Sequence, residues 1–311
     1  MQFVSSPRFN PKHIKSHSTG SLSLDLALGT QGFTYGRMVE ISGETGVGKT
    51  TLALNCLAAC QQNGGNVAYL DPEFALNREY ARAVGIDVKK LVYSQPRTAE
   101  QAFEIAISLI SSDTIDVLAI DSIAALLPKQ HAQQPIGITC ETELAHSKAL
   151  VKGLSALRLA LKGKSSTVIF TNQLRQKYEN ASGRFFPESQ GGRPVYNFMA
   201  TRIRMHYGHM IKNGDSVIGH HCLMNVLKHK DGKTDGKASS PVIYDRGIAS
   251  SYETLTAALN AGVVVRTADG LFANGSRLGR NGAAAKNFLD KMPAIRFMLN
   301  RNLLMRNFII S

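Results

Sequence analysis

Acidic residues are scarce in this chain. Asp and Glu number 23 against 36 Lys and Arg, the formal net charge is +13, and the first acid is not met until Asp25. Such an excess favours a polyanionic partner, nucleic acid foremost, over a solvated surface alone. Long apolar runs are also missing. No stretch approaches the roughly 20 residues of a membrane-spanning helix, so a soluble, cytoplasmic protein with no membrane partner is expected. The basic N-terminus has no apolar core of a secretory signal, and Pro7 and Pro11 break any amphipathic transit helix. Paired cysteines are absent as well: Cys56, Cys60, Cys140 and Cys222 form no CxxC. Cys56 and Cys60 lie one helical turn apart and read as buried thiols in a reducing compartment. With 311 residues, the chain has room for one large α/β domain and a smaller one.

What is present centres on residues 43–50, Gly43-Glu44-Thr45-Gly46-Val47-Gly48-Lys49-Thr50, a full match to G-x-x-x-x-G-K-[ST]. An apolar run, Met38-Val39-Glu40-Ile41, precedes it, and Thr51 to Leu57 reads as a helix, so the motif has the strand–loop–helix setting it needs. Glycines let backbone N–H groups close around phosphate oxygens, and the helix start adds positive potential. Lys49 is then within reach of the β/γ-phosphates, and Thr50 offers a hydroxyl to Mg²⁺. The expected ligands are ATP and Mg²⁺.

Further strands read at 66–70, 116–120, 167–171 and 223–227, with helices at 51–62, 99–111 and about 142–161 between most of them. This alternation predicts an α/β fold with a mainly parallel sheet covered on both faces. Ligands of such sheets bind beyond the carboxyl ends of the strands. The phosphate loop, Glu73, Asp121 and Gln173 are therefore expected on one edge. Asp121 closes an apolar strand and suits Mg²⁺, directly or through water. Glu73 suits the activation of an attacking water; a solvated loop carboxylate is the plainer alternative. Gln173 either senses the γ-phosphate or caps a turn.

These motifs, with the text between them, resemble the RecA recombinase family. The likeness runs through Ser18-Thr19-Gly20-Ser21-Leu22-Ser23-Leu24-Asp25, the phosphate loop, Tyr69 to Asn77, Ser94-Gln95-Pro96, Asp121 to Leu126, Phe170 to Arg175 and Gly191-Gly192. Lys228-His229-Lys230 and Tyr244-Asp245-Arg246-Gly247-Ile248 extend it more weakly. A divergent member, such as one encoded by a phage or other mobile element, fits. The resemblance implies a DNA-dependent ATPase that forms a filament on single-stranded DNA, admits a duplex and exchanges strands. It implies that Glu73 is the catalytic glutamate and that Gln173 links the γ-phosphate to a DNA-binding loop. It assigns Tyr80 to the adenine ring, with Asn77 beside it and Tyr244 also at the nucleotide. Lys228 and Lys230 would reach the nucleotide of the neighbouring subunit.

The resemblance also implies two DNA-facing loops, at about 129–141 and about 174–192. The second carries Arg175, Lys177, Tyr178, Arg184, Phe185 and Phe186 before Gly191-Gly192. Basic residues among aromatics on a flexible loop suit a single strand, with charges on phosphates and rings on bases; a surface loop with two buried phenylalanines is the alternative. The expected organisation is a short arm (1–17), an ATPase core (18–250) and a small basic C-terminal domain (251–311). That last segment holds eight Lys/Arg against three acids. Its Gly275, Gly279 and Gly282 suggest hairpin turns. His220-His221 suggests a strand pair, not a metal site. Bacterial family members carry a longer N-terminal helix and strand and an acidic C-terminal tail, which implies a reduced subunit anchor and less restrained DNA affinity here. Two rivals stay open on sequence: a ring-forming helicase motor and a non-polymerising ATP-binding accessory protein.

Overall fold

The computed structural model describes residues 14–129, 140–179 and 184–309. Along the chain the strands are β1 (Ser16–His17), β2 (Phe33–Thr34), β3 (Met38–Gly43), β4 (Val67–Leu70), β5 (Val92–Ser94), β6 (Val117–Ile120), β7 (Thr167–Glu179), β8 (Arg184–Ser189), β9 (Thr201–Asn213), β10 (Ser216–His229), β11 (Lys237–Ile243), β12 (Gly247–Ile248), β13 (Val264–Thr267), β14 (Gly270–Ala273) and β15 (Ser276–Gly279). The helices are α1 (Leu22–Leu28), α2 (Lys49–Gln62), α3 (Arg78–Val84), α4 (Ala99–Ser111), α5 (Cys140–Ala160), α6 (Gly192–Phe198), α7 (Ser250–Asn260), α8 (Gly282–Lys291) and α9 (Pro293–Ile309).

Six strands run parallel in the order β9-β3-β7-β6-β4-β5, and β10, β11 and β12 continue the sheet antiparallel beyond β9. Every residue of β3, β4 and β6 is buried, as required of strands covered on both faces. One face packs Leu52, Leu54 and Leu57 of α2, with Leu24 and Leu28 of α1, against Val39, Ile41 and Ile169. The other packs Ala102, Phe103, Ala106 and Ile110 of α4, with Leu150, Leu154 and Leu157 of α5, against Leu118, Val168 and Phe170. The helical spacing of those positions is what sets the burial. Thr98 fixes the start of α4 by accepting from the Gln101 N–H at 3.2 Å.

After β12 the chain builds a third apolar cluster from α7, β13–β15, α8 and α9, which also takes in Leu22. Glu253 of α7 lies buried against α1 and β11. It accepts from the hydroxyls of Ser21, Ser23 and Ser240 and from the Leu22 N–H. Gly275, at φ +77°, turns β14 into β15, whereas Gly282 opens α8.

Two sequence expectations need correction. The strand expected at 223–227 is the middle of the 14-residue β10, which runs antiparallel, so its carboxyl end lies on the opposite edge from the phosphate loop. The segment at 174–192 is not an open loop. β7 continues past Gln173 to Glu179 and pairs antiparallel with β8. Tyr178, Phe185 and Phe186 are strand-favouring residues, and residues 180–183 of the segment lie outside the described residues. Residues 130–139 of the first expected DNA loop lie outside the described residues, as does the arm before residue 14.

Candidate nucleotide site and its link to the hairpin

β3 delivers the phosphate loop to the carboxyl edge of the sheet. Gly46 and Gly48 adopt φ +79° and +104°, the left-handed region that L side chains disfavour. Gly48 stands at the N-cap of α2 without a side-chain cap, so the first N–H groups of the helix stay available to an anion. Lys49 Nζ folds back onto the loop and donates to the carbonyls of Gly43 (3.1 Å) and Glu44 (2.8 Å). Burial lowers the Lys49 pKa against the opposing pull of Asp121, Glu73 and Glu44.

Asp121, at the end of β6, accepts from Thr50 Oγ1 at 2.5 Å, from Tyr69 Oη at 2.7 Å and from the Thr171 hydroxyl. Burial, then the Asp121 charge, raises the Tyr69 pKa, keeping that phenol a donor. Among the described residues no three or more His, Cys, Asp or Glu are grouped so as to hold a metal ion by themselves. Thr50 and Asp121 nevertheless form the donor set expected for Mg²⁺, which takes one or two protein oxygens and completes its shell with phosphate and water.

Glu73 follows β4 on a turn built by Asp71. That carboxylate accepts from Ala75 N, Leu76 N and Tyr93 Oη, and Phe74 takes φ +57°. Glu73 receives the Ser122 hydroxyl, so the residue after Asp121 tethers the candidate base. Asn77 caps α3, accepting from the N–H groups of Glu79 and Tyr80 (2.8 and 3.0 Å). Tyr80 Oη meets Thr51 Oγ1 at 2.6 Å, which sets the ring beside the start of α2. Tyr244 is half exposed, its ring 5.9 Å from that of His220.

Gln173 is the register partner of Gly43, and Gln190 N–H donates to its carbonyl at 3.3 Å. The first residue of the phosphate loop and the root of the hairpin are thus side by side. Within the hairpin Arg175 pairs with Glu188, Lys177 with Phe186, Tyr178 with Phe185 and Glu179 with Arg184. Gly191 and Gly192, both at positive φ, turn β8 into α6; a Cβ on Gly191 would come within 2.5 Å of Val195. A buried polar chain runs beneath. Glu40 of β3 binds Arg202 of β9 and accepts from Asn172 Nδ2 (2.8 Å), which also donates to the Gln190 carbonyl (2.9 Å).

Lys228 and Lys230 stand apart from the phosphate loop. Lys228 lies in register with Arg202, and Lys230 N–H donates to the Ala200 carbonyl. That level is roughly three to five residues, about 10–16 Å, below Gly43 along the sheet. Lys228 Nζ donates to the Tyr196 carbonyl at 2.7 Å and sits 4.6 Å over its ring. Burial, then Lys230 and Arg202, lowers its pKa.

Sequence reasoning missed four contributors: Ser122 on Glu73, Thr171 on Asp121, and Tyr207 and His220 behind the phosphate loop. Ser122 and Thr171 were readable as strand-end hydroxyls. The other two sit on the antiparallel flank, whose register no local pattern reveals.

The family model of the RecA N-terminal domain matches residues 6–249. The chain belongs to the RecA family. Similar proteins are the Protein RecA of Bdellovibrio bacteriovorus, 36% identical over 95% of this chain and 78% of that one, and of Bifidobacterium breve, 39% identical over 89% and 70%. The Protein RecA of Clostridioides difficile is 36% identical over 88% of this chain and 78% of its own length. Family membership carries a role in DNA recombination and repair by strand exchange. No helix among the described residues is long and apolar enough to cross a membrane.

Proposed function

We propose that this chain hydrolyses ATP with Mg²⁺ while assembled as a filament on single-stranded DNA, and that the filament pairs and exchanges homologous strands. One observation carries the reading: the backbone pairing of Gly43 with Gln173, which makes the phosphate loop and the root of the basic, aromatic hairpin one rigid unit. Lys49 and the N–H groups of the loop bind phosphate. Thr50 and Asp121 would hold Mg²⁺, which offsets charge on the phosphate oxygens. Glu73 orients or deprotonates the attacking water, and Gln173 reports the γ-phosphate to the hairpin.

Tyr80, Asn77 and Tyr244 bound the site for the base. Arg175, Lys177, Tyr178, Arg184, Phe185 and Phe186 meet DNA, mainly at its backbone and base faces. Lys228 and Lys230 serve a neighbouring subunit, so hydrolysis depends on assembly as it does with an arginine finger. Residues 18–250 act as the ATPase core, after a short arm at 1–17, and residues 251–311 as a separate basic lobe that gathers duplex DNA.

The test is a strand-exchange assay with homologous and heterologous duplexes, with and without ATP. Exchange is expected only with homology and ATP, and is lost in Lys49→Ala. Turnover of ATP on single-stranded DNA with no pairing would move the reading to a motor.

A further inference from the structure

The phosphate loop must point its N–H groups inward, so its carbonyls turn outward and need donors of their own. Those donors come in two kinds. Gly43 and Glu44 carbonyls take Lys49 Nζ, with the Val47 N–H also donating to the Glu44 carbonyl at 3.4 Å; Lys49 is a donor that leaves when it turns to a phosphate. Thr45 and Val47 carbonyls take donors from the β9–β10 pair: Tyr207 Oη to Thr45 O at 3.1 Å and His220 Nε2 to Val47 O at 3.3 Å. A carbonyl only accepts, so Nε2 carries the proton and the tautomer of His220 is fixed.

The two side chains also support each other. The rings of Tyr207 and His220 are 4.8 Å apart, the Tyr244 ring is 5.9 Å from that of His220, and His220 is 2% exposed. Tyr207 packs so close to Gly46 that a Cβ there would stand 2.6 Å from its oxygen.

We propose that Tyr207 and His220 are positioning residues that hold the phosphate loop in its anion-binding shape independently of Lys49. They touch no phosphate; they act by keeping the Thr45 and Val47 carbonyls turned out while Lys49 is exchanged between loop and ligand. The inference rests on the reading of Gly43–Thr50 as the ATP phosphate site, and deepens it. Losing either donor lets the loop sample shapes in which a carbonyl faces the anion, so ATP affinity falls while the chemistry of a bound ATP is preserved.

The experiment measures binding of a fluorescent ATP analogue with Mg²⁺ to the full-length protein, along with KM and kcat on single-stranded DNA. Tyr207→Phe and His220→Leu are each expected to weaken nucleotide binding about 5- to 20-fold, with kcat changed less than about twofold. His220→Gln, whose amide N–H stands near the position of Nε2, should restore affinity to within about threefold of wild type. Nucleotide-free DNA binding and the melting temperature should not follow the same order.

Wild-type affinity in both Tyr207→Phe and His220→Leu overturns the proposal. So does an affinity in His220→Gln as poor as in His220→Leu, because a packing role would behave that way. If His220→Leu fails to fold, Tyr207→Phe, which removes one oxygen from a partly exposed ring, decides the matter. Lys49→Ala separates the two levels. If it binds the analogue as the wild type does, the phosphate-site reading falls and the brace with it. If it loses binding while the Tyr207 and His220 variants keep it, only the brace falls.

Discussion

His229 lies between Lys228 and Lys230 in the chain yet points into the protein, where it is 3% exposed and meets the hydroxyls of Thr30 (2.9 Å) and Thr201 (2.8 Å). Burial pushes its pKa down from 6.5 to about 4, Arg37 adding to the fall and Asp231 opposing it. The imidazole is therefore neutral in the fold, whereas the unfolded chain takes up a proton as pH falls through 6.5. Between pH 6.5 and about 4 the unfolded state binds more protons, so this group's contribution to stability is full above that window and lost within it. The full loss corresponds to about 3 kcal/mol. Asp25, whose carboxyl burial raises to about 7, titrates with the opposite sign. The measurement is therefore the difference between wild type and His229→Gln, in which Asp25 cancels. Denaturant unfolding should show that difference shifting against the wild type by about 3 kcal/mol from pH 7 to pH 4. A difference independent of pH would mean that His229 titrates as an ordinary histidine.

The hairpin of β7 and β8 carries basic residues on both of its arms. Lys177 and Arg184 lie on opposite arms of the ribbon, in register with Phe186 and Glu179 respectively. Each phosphate neutralised on single-stranded DNA adds about 0.7 to the slope of log affinity against log salt. Lys177→Ala with Arg184→Ala should therefore flatten that slope by about 1.4, and weaken oligonucleotides of any sequence alike. An unchanged slope would remove the pair from the DNA interface. The sequence carried α4 to its ends because apolar spacing and the Thr98 cap agree there, and it carried β3 and the phosphate loop because a motif with fixed φ demands leaves little choice. It did not carry the hairpin, since Gln173 looked like a strand end from the apolar run alone. It did not carry the β9–β10 register either, because a one-residue slip there reverses which face Tyr207 and His220 occupy and only long-range packing selects between the two.

For the whole molecule, the decisive geometry is the separation of the phosphate loop from Lys228 and Lys230. Lys49, Thr50, Glu73, Asp121 and Gln173 gather at the carboxyl edge of the parallel strands, while Lys228 and Lys230 emerge at the opposite edge because β10 runs against β9. A lysine side chain spans only about 6 Å from Cα to Nζ, short of the 10–16 Å along the sheet that separates it from the phosphate loop of its own chain. If both lysines serve ATP, the ATP belongs to another copy. Two inactive variants test this when mixed. Lys228→Ala/Lys230→Ala keeps Glu73 but offers its neighbour no lysines; Glu73→Gln keeps the lysines but cannot activate water. In an equal mixture assembled at random on single-stranded DNA, about one quarter of the seams pair an intact Glu73 with intact lysines, so about a quarter of wild-type turnover is expected from two proteins that are each inactive alone. Were the lysines and Glu73 to act within one chain, every copy in the mixture would carry a defect and no activity would return. Recovery must also depend on assembly: diluting the mixture below the concentration at which it coats DNA should abolish turnover more steeply than it reduces DNA binding.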